Sequence, residues 1–320
     1  MFGGSSLNHR FKNFLYTILF LTTLLTIVFT LSIYYGEPKP LVLKYRFTRS
    51  LSVVLTGFII GVSGSLLQGC LRNPLVDQYI LGIGTGSLFL VYISILIYGY
   101  SLAITPLFAI IGGLTALALT LIIGDYIGGS DTAYVLSGLG VNSLFAGLSI
   151  ILVNILSTRY PYIVSLYMGS FTRALPEHHT VLLILVLINI ISYIILAKPL
   201  NTIVLGDQYS LQLGYNPYSY RRLTLLVAGV SSSITVSIYG LIGFIGLITP
   251  HISRLLVKTI DHRFTIPLSG LTGSLILLIT DCFTRLVLVD ITGEIPTGAL
   301  VSSIGAPFFI ILVLKRFKRI

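Results

Sequence analysis

Charged side chains are scarce in this sequence of 320 residues. Asp, Glu, Lys and Arg make up only 9% of it, whereas a soluble domain carries about 25%. Hydrophobic residues account for 55%. This composition excludes an ordinary soluble domain. The net charge of +10 does not indicate a nucleic-acid partner, because the basic residues lie at the ends of apolar runs rather than along one soluble face.

Cysteine and the motifs of nucleotide chemistry are also scarce. The two cysteines, Cys70 and Cys282, lie in or at the end of apolar runs and lack metal-ligand spacing, so we interpret them as packing residues. No G-x-x-x-x-G-K-[ST] phosphate loop occurs, and the glycines at 82, 84 and 86 lack the spacing and βαβ context of a dinucleotide site. We therefore expect no nucleotide hydrolysis, no cofactor and no bound metal in this chain.

Long apolar runs are what the sequence does contain, beginning with residues 14–33. A helix needs roughly 20 apolar residues to cross a bilayer, and backbone groups in hydrocarbon must be satisfied within the protein. We predict an all-α polytopic membrane protein with about ten transmembrane helices. The predicted helices cover residues 11–34, 51–71, 80–100, 102–124, 133–157, 180–197, 219–241, 247–257, 266–288 and 297–314. The eighth is too short to cross alone, so we expect its neighbours to enclose it. The first is longer than the core of a cleaved signal peptide and has no A-x-A-like site after it.

The basic residues predict the orientation. Ten crossings place both termini on one side of the membrane. Thirteen of the 20 Lys and Arg residues then fall on that side, which the positive-inside rule assigns to the cytoplasm. A basic cluster on the outer side is not explained by this rule: Lys44, Arg46, Arg49 and Arg285.

Glycine spacing predicts where helices pack most closely. Gly57, Gly61 and Gly64 fall on one face of the second predicted helix, and small residues on a shared face let two backbones approach. A Gly-x-x-Gly-x-x-Gly run over residues 240–246 serves the same purpose near the eighth helix. These features describe architecture and name no substrate.

Three segments carry ordered sets of charged, glycine and proline residues. The first contains Arg46, Arg49, Gly57, Gly64, Gln68, Arg72-Asn73-Pro74-Leu75-Val76-Asp77 and Leu81-Gly82. The second contains Leu205-Gly206-Asp207 and Leu213-Gly214. The third contains Gly243, Pro250-His251, Arg254, Asp261-His262-Arg263, Pro267, Asp281, Arg285, Glu294, Pro296, Gly298, Gly305 and Pro307-Phe308-Phe309. Over roughly residues 46–309 the chain resembles the FecCD-type permease subunits of ABC importers, which carry iron–siderophores, haem and cobalamin.

The resemblance implies a single transmembrane permease domain over residues 1–320, with a first helix at 11–34 and a family-like core at 46–314. It also implies a homodimer with the path along the dimer axis. Two separate ATPase subunits would bind below, and a soluble binding protein would deliver the ligand from outside. The sequence departs from the family pattern at Thr48, Asp207 and Thr249, and none of these changes alters the charge pattern.

The outer arginines match family residues that dock acidic groups of the binding protein. Arg46 and Arg49 precede the second predicted helix, and Arg285 ends the ninth. Guanidinium suits such docking because it stays charged and binds carboxylates bidentately. The alternative is interfacial anchoring by snorkelling side chains.

Two further elements lie on the predicted cytoplasmic side. The turn Asn73-Pro74-Leu75 follows the second helix, and the resemblance makes it, with Ser130-Asp131, a constriction of the path. Proline at 74 is also explained as a helix stop. The loop with Gly206, Asp207, Leu213 and Gly214 has apolar residues that suit insertion into a groove on a partner, which the resemblance identifies as the ATPase.

The remaining motif residues have structural interpretations. Gln68, Pro74, Pro250, His251 and Arg254 belong to the family pattern without an assigned ligand. His251 and His262 lack further ligands at metal-site spacing, so we favour a polar network around Asp261. Asp281 lies within an apolar run, and we favour an ion pair with Arg285 one turn later over a transport role.

Two other classes of protein stay open. An ion-coupled secondary transporter would carry several buried ionisable residues and internal repeats, whereas only Asp281 meets the first criterion. A membrane-embedded enzyme would need convergent histidines or carboxylates, which the sequence does not offer. Which chelate is carried does not follow from the sequence.

Overall fold

The computed structural model describes residues 4–36, 39–288 and 293–317. These residues form twelve helices, and no strand occurs among them. In chain order the helices are α1 (Gly4–Tyr34), α2 (Pro40–Cys70), α3 (Ile83–Tyr98), α4 (Thr105–Tyr126), α5 (Asp131–Ser157), α6 (Ile163–Met168), α7 (Pro176–Leu205), α8 (Asp207–Gln212), α9 (Pro217–Tyr239), α10 (Ile245–Val257), α11 (His262–Leu286) and α12 (Thr297–Phe317). The predicted all-α class is confirmed.

Ten of these helices correspond in order to the ten predicted ones. Seven are long and apolar enough to cross a membrane: α1, α2, α4, α5, α7, α9 and α11. Three shorter apolar helices, α3, α10 and α12, complete the set. The short eighth helix of the prediction is α10, which has 13 residues. Helices α6 and α8 have six residues each and lie in the connections.

Helices α1 and α11 run in one direction and α2 runs in the opposite one, so the bundle has two distinct ends. The start of α1 lies beside the start of α11, where the rings of Phe14 and Phe264 are 5.0 Å apart. Gly69, near the end of α2, contacts the ring of His262 at the same place. We call this the α8 end, because Asp207 of α8 pairs with Arg72, two residues after the end of α2.

The opposite end, called the Arg49 end, holds the end of α1, the end of α11 and Arg49 of α2. Helix α12 begins there, since the backbone N–H of Gly298 donates to Gly169 at 2.8 Å, in the connection between α6 and α7. With 21 residues, α12 spans about 30 Å toward the α8 end. The start of α1 and the end of α12 therefore lie on one side of the bundle.

Glycines form the closest helix contact. Gly57 and Gly61 on α2 face the backbone of α11, so near that an added methyl group would overlap a carbonyl oxygen. Gly64 makes the same approach to Gly246 at the start of α10. The prediction that these glycines bring backbones together is confirmed.

Helices α3 and α10 begin inside the bundle. The residues that precede them, Gly82 and Phe244, have left-handed φ angles of 75° and 65°. The buried Asp77 carboxylate accepts hydrogen bonds from the backbone N–H groups of Tyr79 and Ile80, at 3.0 and 2.8 Å. Irregular backbone at this depth is stable only where protein encloses it and satisfies its polar groups.

The two largest differences from the predicted helix boundaries are at the start of α2 and at the end of α7. Helix α2 begins at Pro40, so that Arg46 and Arg49 lie within the helix and not before it. Proline is favoured in the first turn because its missing N–H would have no partner there. Helix α7 continues past Pro199 to Leu205, and the hydroxyl of Thr202 donates to the Pro199 carbonyl at 2.8 Å.

Candidate functional site

A buried ion pair joins α2 to α11 at the Arg49 end. Arg49 Nη2 donates to Asp281 Oδ1 at 2.7 Å, and Nε lies 3.1 Å from both carboxylate oxygens. The Arg49 side chain is 1% exposed and that of Asp281 is fully buried. Such a pair is stable only when further hydrogen bonds satisfy the remaining donors and acceptors.

Four neighbours supply those contacts. Arg49 Nη1 pairs with Glu294 and donates to the Tyr45 hydroxyl at 3.2 Å. The Thr297 hydroxyl donates to Asp281 Oδ1 at 2.9 Å. Arg285 Nε lies 3.1 Å from Asp281 Oδ2, which confirms the predicted pair one helical turn apart. Two arginines and two carboxylates thus balance in charge and connect α2, α11 and the start of α12.

Arg49 is buried, whereas docking of a partner requires an exposed side chain. Because α2 starts at Pro40, Arg49 lies on the helix face that packs against α11. Arg285 is also largely covered, and its Nη2 donates to Ser50 at 2.8 Å. Arg46 is half-buried and donates to the carbonyls of Ile33 and Tyr35 at the end of α1, at 3.2 and 2.6 Å. It is therefore the most accessible of the three.

A second ion-pair cluster lies at the α8 end around Asp207, the first residue of α8. Arg221 of α9 binds its carboxylate with two hydrogen bonds, Nη1 to Oδ2 at 2.8 Å and Nη2 to Oδ1 at 2.7 Å. Arg72, just after α2, also pairs with it. The hydrogen bond from Arg221, with the charges of both arginines, lowers the pKa of Asp207 below its ordinary value. The acid therefore stays ionised at neutral pH.

Exposed leucines lie within α8 and on either side of it. Leu205 is 67% exposed, Leu211 53% and Leu213 51%. Gly206 and Gly214 flank the helix with φ angles of 137° and 82°, in the region that favours glycine. The predicted loop therefore contains a short helix, and its apolar residues are exposed.

The predicted constriction residues lie at the same end. Asn73 is buried, and its Oδ1 accepts from the backbone N–H of Leu75 at 3.0 Å, which fixes the turn around the exposed Pro74. Ser130 precedes α5, and its hydroxyl accepts from the Ala133 N–H at 3.1 Å. Asp131 is the first residue of α5.

The other motif residues pack between α2, α10 and α12. Arg254 Nη2 donates to Gln68 Oε1 at 2.8 Å, and Gln68 Nε2 donates to the Leu247 carbonyl at 3.2 Å, so α2 and α10 are joined by side chains as well as by glycines. Pro250 is buried within α10. The His251 ring packs 5.8 Å from that of Phe308 on α12.

The expected polar network around Asp261 is present. Asn201 Nδ2 donates to Asp261 at 2.6 Å, Asn201 Oδ1 lies 2.8 Å from His262 Nδ1, and Arg263 pairs with Asp261 at 2.6 Å. Within the described ranges, no group of three or more His, Cys, Asp or Glu residues could hold a metal ion.

Sequence reasoning missed several partners. Arg72 and Arg221 were not linked to Asp207, although Asp207 is the only acid between α7 and α9 and both arginines border the same region. The contacts of Glu294 with Arg49 and of Thr297 with Asp281 could not be predicted from neighbouring residues. They form only because the start of α12 packs against the ends of other helices.

Comparisons with known proteins agree with the sequence resemblance. The model of the FecCD transport family matches residues 13–315. The chain is 31% identical to MJ0087 of Methanocaldococcus jannaschii, assigned as an ABC transporter permease, over 86% of this chain and 82% of that protein. It is also 31% identical to the hemin transport system permease protein HmuU of Yersinia pestis, over 86% of this chain and 83% of HmuU.

A solved structure has the same fold. A transporter assigned to the metal-chelate ABC type, in an inward-facing conformation, superposes with a TM-score of 0.79 at 31% identity, covering 94% of this chain and 99% of the other. The alternative of an ion-coupled secondary transporter is excluded by the family match, since ATP hydrolysis in this family belongs to a separate subunit. The chain belongs to the FecCD transport family and is a membrane-spanning, non-enzymatic permease subunit of an ABC transporter.

Proposed function

We propose that this chain is the permease of an importer that carries a metal chelate, an iron–siderophore, haem or cobalamin, from an external binding protein into the cytoplasm. The observation that carries the proposal is near-complete coverage, at 31% identity, of a solved transporter of metal-chelate type. The hemin permease HmuU supports the same substrate class. Membership of the FecCD family rests on the family match. The cargo, the direction of transport and the partner proteins are what we propose.

The working assembly we propose contains two copies of this chain, two ATPase subunits and a soluble binding protein. We propose that the α8 end faces the cytoplasm, so that the N- and C-termini would be on the cytoplasmic side of the cell membrane. Support comes from the basic residues Arg72, Arg221, Arg222, Lys258 and Arg263, which border this end, because cytoplasmic loops carry an excess of Lys and Arg.

Helix α8 is the proposed contact with the ATPase. Three exposed leucines at 205, 211 and 213 form an apolar surface on a loop that solubility alone does not require. Such a helix binds a partner by laying its apolar face into a groove. Gly206 and Gly214 would let the backbone turn sharply on either side.

The proposed inner constriction of the path is formed by Asn73, Leu75, Ser130 and Asp131. The Asn73 side chain holds its turn, and the Ser130 hydroxyl holds the start of α5. Both therefore sit at ends of helices, where a small movement of either helix would change the opening.

Docking of the binding protein is proposed at the Arg49 end, with Arg46 as the accessible charge. Arg49 and Arg285 hold the surrounding framework in the described conformation. Direct docking through these two stays a prediction, since a partner carboxylate would have to compete with Asp281 and Glu294 for them.

Reconstitution tests the function. The permease is assembled in liposomes with its ATPase, and uptake of haem, a ferric hydroxamate siderophore and cobalamin is measured with the binding protein outside and ATP inside. We expect ATP-dependent accumulation of one of the three. Accumulation that is driven by an ion gradient without ATP, or export of all three, contradicts the proposal.

A further inference from the structure

Arg72 occupies the junction between α2 and the proposed constriction. It follows the last turn of α2 and directly precedes Asn73, whose N–H donates to the Gln68 carbonyl at 3.2 Å to close the helix. Its φ angle is 53°, in the left-handed region. Glycine is the usual residue at such a helix end, because a side chain there is sterically unfavourable. An arginine at this position is consistent with a use for its side chain.

That side chain reaches α8. The Arg72 guanidinium pairs with Asp207 Oδ1, and the same carboxylate is held by Arg221 through two hydrogen bonds. Arg221 in turn donates to the Cys70 carbonyl at 3.4 Å. One carboxylate thus connects α8 with α9 and with the turn after α2.

The two arginines are not equivalent. Arg221 binds both oxygens of Asp207 and joins α8 to the helix that follows it in sequence, four residues after the start of α9 at Pro217. Arg72 makes a single contact, and both it and Asp207 are 34% exposed. Exposed ion pairs contribute little net stability. The Arg72 contact can therefore break and form again while Arg221 keeps α8 attached to α9.

We propose that Arg72 is a positioning residue that transmits movement of α8 to the Asn73–Leu75 turn, through a reversible ion pair with Asp207. The proposal rests on the proposed function, in which α8 contacts the ATPase. When α8 moves and the Arg72–Asp207 pair stays intact, Arg72 moves with it and displaces the adjoining Asn73–Leu75 turn. When the pair breaks, the turn no longer follows α8.

Three variants separate a transmitting role from a structural one. Arg72→Gly removes the side chain and suits the left-handed backbone, so the fold is retained. Arg72→Lys keeps the charge. Arg222→Gln removes a neighbouring exposed arginine for which no contact with Asp207 is found among the described residues, and it is the matched control. Each is assembled with the ATPase and binding protein in liposomes.

The first readout is the amount of haem, ferric siderophore or cobalamin, whichever the wild type accumulates, per ATP hydrolysed. We expect a decrease of at least about fivefold for Arg72→Gly, a smaller decrease for Arg72→Lys and none for Arg222→Gln. Arg72→Gly should add little to the effect of Asp207→Asn, because the single Arg72 contact with that carboxylate is already lost in Asp207→Asn. Normal coupling in Arg72→Gly overturns the inference.

The second readout does not depend on the cargo. A spin label on Leu75→Cys reports the mobility of the turn when a non-hydrolysable ATP analogue binds the assembled complex, with the unsubstituted chain giving the background of Cys282. We expect the signal to change in the wild-type and Arg72→Lys backgrounds and to be unaffected by nucleotide in Arg72→Gly. An equal response in all three overturns the inference, whereas absence of transport with a normal response overturns only the proposed function.

Discussion

Arg49 and Asp281 lie 232 positions apart in sequence, yet Arg49 Nη2 donates to Asp281 Oδ1 at 2.7 Å with both side chains buried. The pair connects α2 to α11, the last of the long helices. Its carboxylate also lies against Arg285 and accepts from Thr297. A single acid therefore organises the Arg49 end of the bundle.

Removing this acid should destabilise the fold. Asp281→Asn leaves two buried guanidinium groups with too few acceptors, so we expect the free energy of unfolding to fall by about 3–5 kcal/mol. Denaturant titration in lipid–detergent micelles measures it. Asp125→Asn is the control, because Asp125 is exposed and accepts only from Tyr134 among the contacts seen. Equal free energies of unfolding for the two variants would show that the buried ion pair does not stabilise the fold.

Charge reversal at Arg46 should weaken docking of the binding protein. Arg46→Glu adds repulsion where Arg46→Ala only removes attraction, so the dissociation constant should rise more in the first. Association should also slow with salt, because the Debye length is only about 8 Å at physiological ionic strength. Surface plasmon resonance on reconstituted permease measures both. Arg159→Glu at the same end distinguishes position from net charge, and salt-insensitive docking that survives Arg46→Glu refutes the role.

A side chain at Gly214 should uncouple transport. Its φ of 82° strains any L residue, although no atom lies within 4 Å, so Gly214→Leu should distort the α8 connection without filling a packed site. We expect normal membrane insertion with reduced uptake per ATP. Gly36→Leu is the matched control, since Gly36 has a φ of 74° and equally open space at the opposite end. Similar transport by the two variants contradicts the coupling role of α8.

Acid should release α8 only at low pH. The folded-state pKa of Asp207 is depressed, so its stabilising contribution is present above the ordinary value of 3.8 and is lost as pH falls through the lower folded-state value. Hydrogen exchange of the α8 backbone amides should therefore show unchanged protection from neutral pH down to about 4, and loss below it. In Asp207→Asn the α8 amides should already have lost their protection at neutral pH. A transition centred near neutrality in the wild type contradicts the assigned ion pairs.

The isolated chain should not hydrolyse ATP, because its sequence lacks a phosphate loop and its family keeps hydrolysis in a separate subunit. Phosphate release by the purified permease should match the background of empty liposomes and rise only when the ATPase is added. A preparation whose hydrolysis follows the permease through further purification, without any ATPase subunit, would exclude this division of labour.

The order of ten of the twelve helices followed from the sequence because length and hydropathy are local properties, and each crossing needs its own apolar run. The Asp281–Arg285 pair was predicted for the same reason, as the two residues lie one turn apart. The burial of Arg49 was not predicted. It depends on the early start of α2 at Pro40 and on the return of Asp281 and Glu294 from the far end of the chain. Asp207 was placed correctly on its loop, but its partners Arg72 and Arg221 come from different helices.

Because α2 and α11 meet backbone to backbone at Gly57 and Gly61, no side chain separates them at these two positions that could change rotamer to accommodate a new arrangement. Sliding either helix by one residue would put a Cβ atom where a glycine now allows contact. These two helices, with the start of α10 at Gly246, must consequently move as one rigid body. Opening of the path then falls to helices outside this body, and substitutions at the glycines should block assembly rather than adjust transport.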